Sequence, residues 1–178
     1  LPMSLTLETE RLRLRPIADS EVDTLHAILT DSFVRKYLCD DQIFSRQQVE
    51  EMLAESQRAF AEERWGLWLI EVKAEPTPIG FVGLWNFFEE PQPQLAYALL
   101  PGATGQGYAT EAATRILTYA FDELGYGYLV ASCDKPNLAS QNVAERIGMK
   151  RVEERTENGK PIVFFRIERS MGEDGSEG

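Results

Sequence analysis

Leu99-Leu-Pro-Gly-Ala-Thr-Gly-Gln-Gly-Tyr-Ala-Thr-Glu-Ala-Ala113 reads as the end of an apolar strand, a glycine-bearing loop and the start of a helix. Such a junction aims a row of backbone N–H groups, and the positive end of a helix dipole, at one spot that suits phosphate. Gly105 and Gly107 carry no Cβ, so an anion can come close to the main chain. Two familiar phosphate loops are ruled out. A Walker A loop ends in Lys-Ser or Lys-Thr, and Tyr108-Ala109 stands there instead. The dinucleotide fingerprint wants a third small residue where Thr110 stands, and a βαβ unit that the surrounding sequence lacks. A diphosphate cradle made of main chain remains. A turn with a helix cap would show the same glycines, so the rest of the chain must decide.

Outward from the loop, the chain reads as α+β without internal repeats. Ala109, Ala112, Ala113, Ile116, Leu117, Ala120, Phe121 and Leu124 recur at helical spacing, and Gly125 ends that helix. Upstream, Trp65–Lys73, Ile79–Phe88 and Leu95–Leu100 form an antiparallel meander, with Glu75–Pro78 as a turn. Thr6–Arg15 alternates as an opening strand that Pro16 ends. Asp19 caps a helix to about Leu29. Ser45 caps a second helix, with Gln48 placed for a capping box and Val49, Met52, Leu53, Ser56 and Phe60 as its buried stripe. The segment Phe33–Phe44 joins the two as a candidate lid. Downstream come a strand, Tyr128–Cys133, and a short helix, Asn137–Ile147. A hairpin of Met149–Glu154 and Ile162–Ile167 closes on Glu157-Asn-Gly-Lys160.

The 178 residues suit one domain, placed at residues 3–170 with a disordered acidic tail at 171–178. No run of 18 apolar residues occurs, so no membrane span is expected. The start lacks the design of a signal peptide. A net charge of −11 argues against nucleic acid and favours cationic partners such as amines. Cys39 and Cys133 give neither a disulfide framework nor a metal pattern, and read as plain thiols of a reducing cytoplasm.

Three stretches carry a resemblance. Thr9-Glu-Arg-Leu-Arg-Leu-Arg-Pro16 resembles the opening of the ribosomal-protein N-acetyltransferase branch of the GNAT superfamily. Tyr97-x-Leu99-x-Pro101 followed by Gly105-Gln-Gly-Tyr-Ala-Thr-Glu-Ala112 resembles that superfamily's acetyl-CoA loop. Asn137-Leu-Ala-Ser140 with Glu145-Arg-Ile-Gly-Met149 resembles its next motif. Their order and spacing match over about Leu5 to Glu168. The resemblance implies the GNAT fold: a strongly bent mixed sheet, helices on both faces, and strands that splay apart around the cofactor loop. It implies pantetheine held along Leu99 and Leu100 by main-chain bonds. The diphosphate would sit on the amides of Gly105, Gln106, Gly107, Tyr108, Ala109 and Thr110, with Asn137, Ser140 and Asn142 completing the acetyl-CoA site. Leu99 also fits an ordinary core position. The sequence departs from the family where Thr104 and Gln106 stand in place of cationic or larger side chains. Ala144 stands where many relatives carry an acidic tyrosine.

The resemblance implies transfer of acetyl to a primary amine, a protein N-terminus or a small molecule, by a monomer or homodimer. Such a reaction needs an oxyanion donor and a proton for the leaving thiolate. A strand amide near Leu99 is expected to serve the oxyanion, and Ser140 the thiolate. No serine-histidine-aspartate set exists, because the sole histidine, His26, reads as a packing or surface residue of the first helix. Glu89 is the candidate base, with Glu90 beside it. Glu111 reads better as a partner of the helix dipole. Loss of the amine proton to solvent would need no base. Trp85, Phe87 and Tyr97 are candidates for the acceptor wall. A silent acyl-CoA sensor stays open as the alternative.

Overall fold

The computed structural model describes residues 5–38, 40–88 and 90–170. The strands are β1 (Leu7–Glu8), β2 (Leu12–Pro16), β3 (Leu67–Val72), β4 (Glu75–Trp85), β5 (Gln94–Leu99), β6 (Tyr128–Asp134), β7 (Lys150–Glu157) and β8 (Lys160–Glu168). The helices are α1 (Val22–Thr30), α2 (Ser32–Leu38), α3 (Arg46–Glu63), α4 (Tyr108–Asp122) and α5 (Leu138–Arg146). The strands make one sheet in the order β1-β2-β3-β4-β5-β6-β8-β7. Only β5 and β6 run parallel, and they meet at a single pair, Leu95↔Ala131. Two antiparallel halves therefore touch at one point. The acidic tail at 171–178 lies outside the described residues, and among those described no helix is long and apolar enough to cross a membrane.

Helices cover both faces. On one, α1, α2 and α3 bury Leu25, Ile28, Val34, Val49 and Leu53 against Leu67, Leu69 and Phe81 of the meander. On the other, α4 and α5 bury Ala112, Ala113, Ile116 and Ala144 against Leu12, Leu14, Val82, Leu84 and Leu129. Small residues along α4 let its axis sit close to the strands. Trp68 fills the centre of that layer, edge-on to Phe60 at 4.8 Å and to Tyr119 at 5.5 Å. Its indole donates to Leu5 O at 2.7 Å, so a buried N–H is satisfied.

Local chemistry set several of these elements. Ser45 Oγ accepts from Gln48 N, and Gln48 Oε1 accepts from Ser45 N at 2.8 Å, so the expected capping box starts α3. Asn158 and Gly159 adopt φ of 52° and 79°, the mirror-image turn that an Asn-Gly hairpin needs. The opening strand is different. Thr6–Arg15 is a hairpin of β1 and β2, paired Leu7↔Leu14 and Glu8↔Arg13. Thr9 N donates to Leu12 O at 3.0 Å, and Thr9 Oγ1 accepts from Leu12 N at 2.9 Å, closing a turn through the polar Thr9-Glu10-Arg11. The segment Phe33–Phe44 also carries a helix, α2. The Asp31 carboxylate starts it by accepting from Phe33 N at 2.9 Å and Val34 N at 3.3 Å. The Glu75–Pro78 turn is the start of β4, where register shifts beside Glu71 absorb the two prolines.

One buried hydroxyl ties α3 to the sheet. Ser56 is 0% exposed, and its Oγ accepts from Leu67 N at 2.9 Å. Ser56→Ala leaves that amide without an acceptor, so unfolding in urea should show a loss of about 1–3 kcal/mol. An unchanged midpoint would mean that water replaces the hydroxyl.

Candidate active site

The loop between β5 and α4 begins as a 3-10 turn, Pro101–Ala103, which Thr104 Oγ1 braces by donating to Pro101 O at 2.9 Å. Gly105 and Gly107 then take φ of 80° and 83°, and Gly107 caps α4 without a side chain. Glu111 N is the first amide of the helix to find its acceptor, Gly107 O at 3.0 Å. From Gly105 to Thr110 no amide meets hydrogen-bond geometry with an acceptor among the described residues. A Cβ added at Gly105 would meet nothing within 4 Å. The loop thus leaves the Gly105–Thr110 amides without a well-formed bond to an acceptor among the described residues, beside a helix N-terminus, an arrangement that suits an anion. Gln106 is exposed and contributes no wall to the cavity described below.

Arg11 supplies a cation at this loop, from the turn between β1 and β2. Its Nη2 would lie 3.3 Å from a Cβ on Gly107, and its guanidinium stacks 4.5 Å from the Tyr108 ring centre. Glu111 holds it there, accepting from Arg11 Nε at 2.7 Å, Arg11 N at 2.9 Å and Thr9 Oγ1. Burial alone would raise the Glu111 carboxyl, but the Thr9 and Arg11 hydrogen bonds outweigh it and hold the group below the usual range. Glu111 is thus a locked anion that positions Arg11. Arg11 lies outside the loop in sequence, and only the hairpin brings it there.

The strand edge beside the loop is open. Leu100 N donates to Ile79 O at 2.8 Å, and β4 and β5 pair without a break from Gly80↔Leu99 to Trp85↔Gln94. Alternate residues of an antiparallel strand turn both main-chain groups to the same neighbour. Leu100, Ala98 and Ala96 therefore serve β4, while Leu99, Tyr97 and Leu95 face β6. Leu95 meets Ala131 there, and β6 offers Tyr97 and Leu99 no pair. Leu100, expected beside Leu99, is turned the wrong way to receive a ligand, and its side chain packs among α1–α3.

A cavity of about 870 Å³ fills the gap between β5 and β6 and reaches both faces of the sheet. Gly105, Gly107–Thr110, Leu99, Asn137, Ser140 and Asn142 line one end, and Phe33, Tyr37, Phe44, Phe87 and Phe88 line the other. Asn137 caps α5, its Oδ1 accepting from Ser140 N at 3.2 Å. The Ser140 side chain lies beside the Tyr97 hydroxyl and acts against the upward push that burial gives that phenol. Tyr97 does not stand in an acceptor wall with Trp85. It lies on the opposite face, and its hydroxyl donates to Ser140 O at 3.0 Å across the gap. Burial pushes that phenol up to about 12, so it stays protonated. Trp85 alternates with Phe81 onto the helix-covered face, joins the core of α1–α3 and does not line the cavity.

The remaining titratable groups sort by geometry. Glu89 lies outside the described residues. Glu90 is paired with Arg155, whose guanidinium covers the Phe164 ring at 3.9 Å. His26 Nε2 sits 2.9 Å from Phe44 O, holding the end of the α2–α3 connection. Cys133 lines the cavity, and burial pushes its thiol up to about 12.

Comparison with known proteins agrees with this architecture. A sequence model of the acetyltransferase (GNAT) domain matches residues 11–150. The N-acetyltransferase YnaD of Bacillus subtilis is 26% identical over 145 residues, 82% of each chain. The crystal structure of an acetyltransferase from Agrobacterium tumefaciens superposes with a TM-score of 0.78 at 25% identity, covering 95% of this chain and 98% of that one. RimL, the ribosomal L7/L12 alpha-N-protein acetyltransferase solved with coenzyme A, superposes with a TM-score of 0.78 at 19% identity, covering 92% and 97%.

Proposed function

The chain belongs to the acetyltransferase (GNAT) family, and we propose that it passes the acetyl group of acetyl-CoA directly to a primary amine that enters from the Phe87 side of the gap. The observation that carries this reading is the six-amide loop beside an unpaired strand edge. The residues present fit the cofactor: amides for the diphosphate, Arg11 in place of the cation that Thr104 and Gln106 do not provide, and Tyr97 and Leu99 main chain for the pantetheine arm. Asn137 has a side-chain NH₂ free to join them. Acetyl-CoA, when bound, supplies an acetyl group activated as a thioester.

The chain's own groups then divide the work. The Leu99 N–H points into the gap and serves the oxygen on which negative charge grows. Ser140 Oγ would hand its proton to the sulfur and be reprotonated by the proton that the attacking amine sheds through water, and Tyr97 holds the Ser140 main chain in place. A Cys133 thiol pushed to about 12 is no nucleophile at neutral pH, which supports direct transfer without an acyl-enzyme. RimL acts on a protein N-terminus, and that acceptor belongs in the trial set here beside small amines.

Release of free thiol from acetyl-CoA, measured against a panel of polyamines, amino acids, aminoglycosides, arylalkylamines and short peptides, tests the reading. Turnover with one class names the acceptor. Tight acetyl-CoA binding without thiol release from any of them would leave a sensor module. Ser140→Ala should lower kcat by about a hundredfold and leave the acetyl-CoA dissociation constant within about twofold. An unchanged kcat removes Ser140 from the chemistry.

A further inference from the structure

One charged group on the cavity wall has no hydrogen-bond or ion-pair partner among the described residues. Asp134 ends β6, is 8% exposed and lines the cavity. Its carboxylate accepts no hydrogen bond and joins no ion pair among the described residues; its one bond is through its main chain, Asn137 N donating to Asp134 O at 2.8 Å. Lys160 is near, but its Nζ is committed to Asp40 Oδ1 at 3.1 Å. Burial pushes the Asp134 carboxyl above its ordinary value, Lys160 pulls it back and Asp40 adds to the push. A carboxylate removed from water without a partner is costly to the fold. The other carboxylates on the cavity wall are engaged: Asp40 with Lys160, and Glu157 with Arg155 at 3.8 Å.

The direction of Asp134 follows from the strand. Leu129, Ala131 and Cys133 of β6 turn to the α4–α5 core. Asp134 pairs with Ile162 and shares the opposite face with Ser132. It therefore points away from the cofactor helices, to the end of the cavity walled by Tyr37, Phe87 and Phe88. We propose that Asp134 seats the ammonium group of the acceptor, an amine borne on an apolar or aromatic stem that lies among Tyr37, Phe87 and Phe88. An opposite charge brought to a desolvated carboxylate supplies the missing partner, and aromatic faces beside it favour a cation further. The word acceptor rests on the transferase reading above; the seat itself rests on Asp134.

The test uses phenethylamine and its neutral counterpart 2-phenylethanol, titrated calorimetrically into the CoA-loaded protein. The wild type should bind the amine at least about tenfold more tightly than the alcohol. Asp134→Asn keeps the shape and removes the charge, so the preference should fall below about twofold while CoA affinity holds. Should the Asn variant fail to hold CoA, Asp134→Ser is read in the same way. Equal binding of the two probes by the wild type, or a preference that survives loss of the carboxylate, overturns the seat. A preference that depends on Asp134 without any thiol release keeps the seat and overturns acetyl transfer instead.

Discussion

Gly107→Glu is expected to weaken acetyl-CoA binding by at least about a hundredfold, read by calorimetry. Three effects act together. Gly107 holds φ at 83°, a conformation that costs a side-chain-bearing residue about 1–2 kcal/mol. Its Cβ would come within 3.3 Å of Arg11 Nη2, so the new carboxylate would draw in the guanidinium proposed to serve the loop. It also brings negative charge to the N-terminus of α4, where the diphosphate must go. Gly107→Ala separates these effects, because it carries only the backbone strain and should lose far less affinity. Affinity of the Glu variant within about threefold of the wild type would mean that the loop does not hold the diphosphate.

Gly83→Ala should cost the fold about 3 kcal/mol or more. A Cβ at Gly83 would lie 2.0 Å from Gly66 O, and both atoms belong to backbone. No rotamer relieves that overlap, so β3 and β4 must part where Leu67↔Gly83 pair. For a chain of this size the melting temperature should fall by roughly 6–12 °C, or the protein should fail to accumulate folded. Gly102→Ala is the control, since nothing lies within 4 Å of its Cβ. An unchanged melting temperature for the Gly83 variant would show that the two strands run farther apart than described.

The parts that were legible in the sequence are those whose chemistry is local. The Ser45–Gln48 box, the Asn158-Gly159 turn and the alanine-rich face of α4 each need only a few neighbouring residues. The β1–β2 hairpin was also written there, in a signal passed over. Leu7 is odd and Leu12 and Leu14 are even, so one straight strand would bury them on opposite faces, yet all three are buried on one. Which side of the sheet a strand residue serves was not legible. Trp85 and Tyr97 both read as wall residues, and their opposite faces were decided by which helices cover which layer. The loop could be read from its glycines, but the cation beside it could not, because Arg11 and Glu111 are a hundred positions apart and meet only through the hairpin. Asp134 gave no sign in a strand of ordinary composition; its lack of a partner among the described residues is a property of the packed structure.

Amide resonances of ¹⁵N-labelled protein, followed as acetyl-CoA is added, put the account to its sharpest test. Gly105 to Thr110, with Tyr97 and Leu99 on the open edge of β5, should show the largest shifts and the greatest gain in protection from exchange. Saturable binding that leaves those amides unmoved, with the shifts clustered elsewhere, would contradict it.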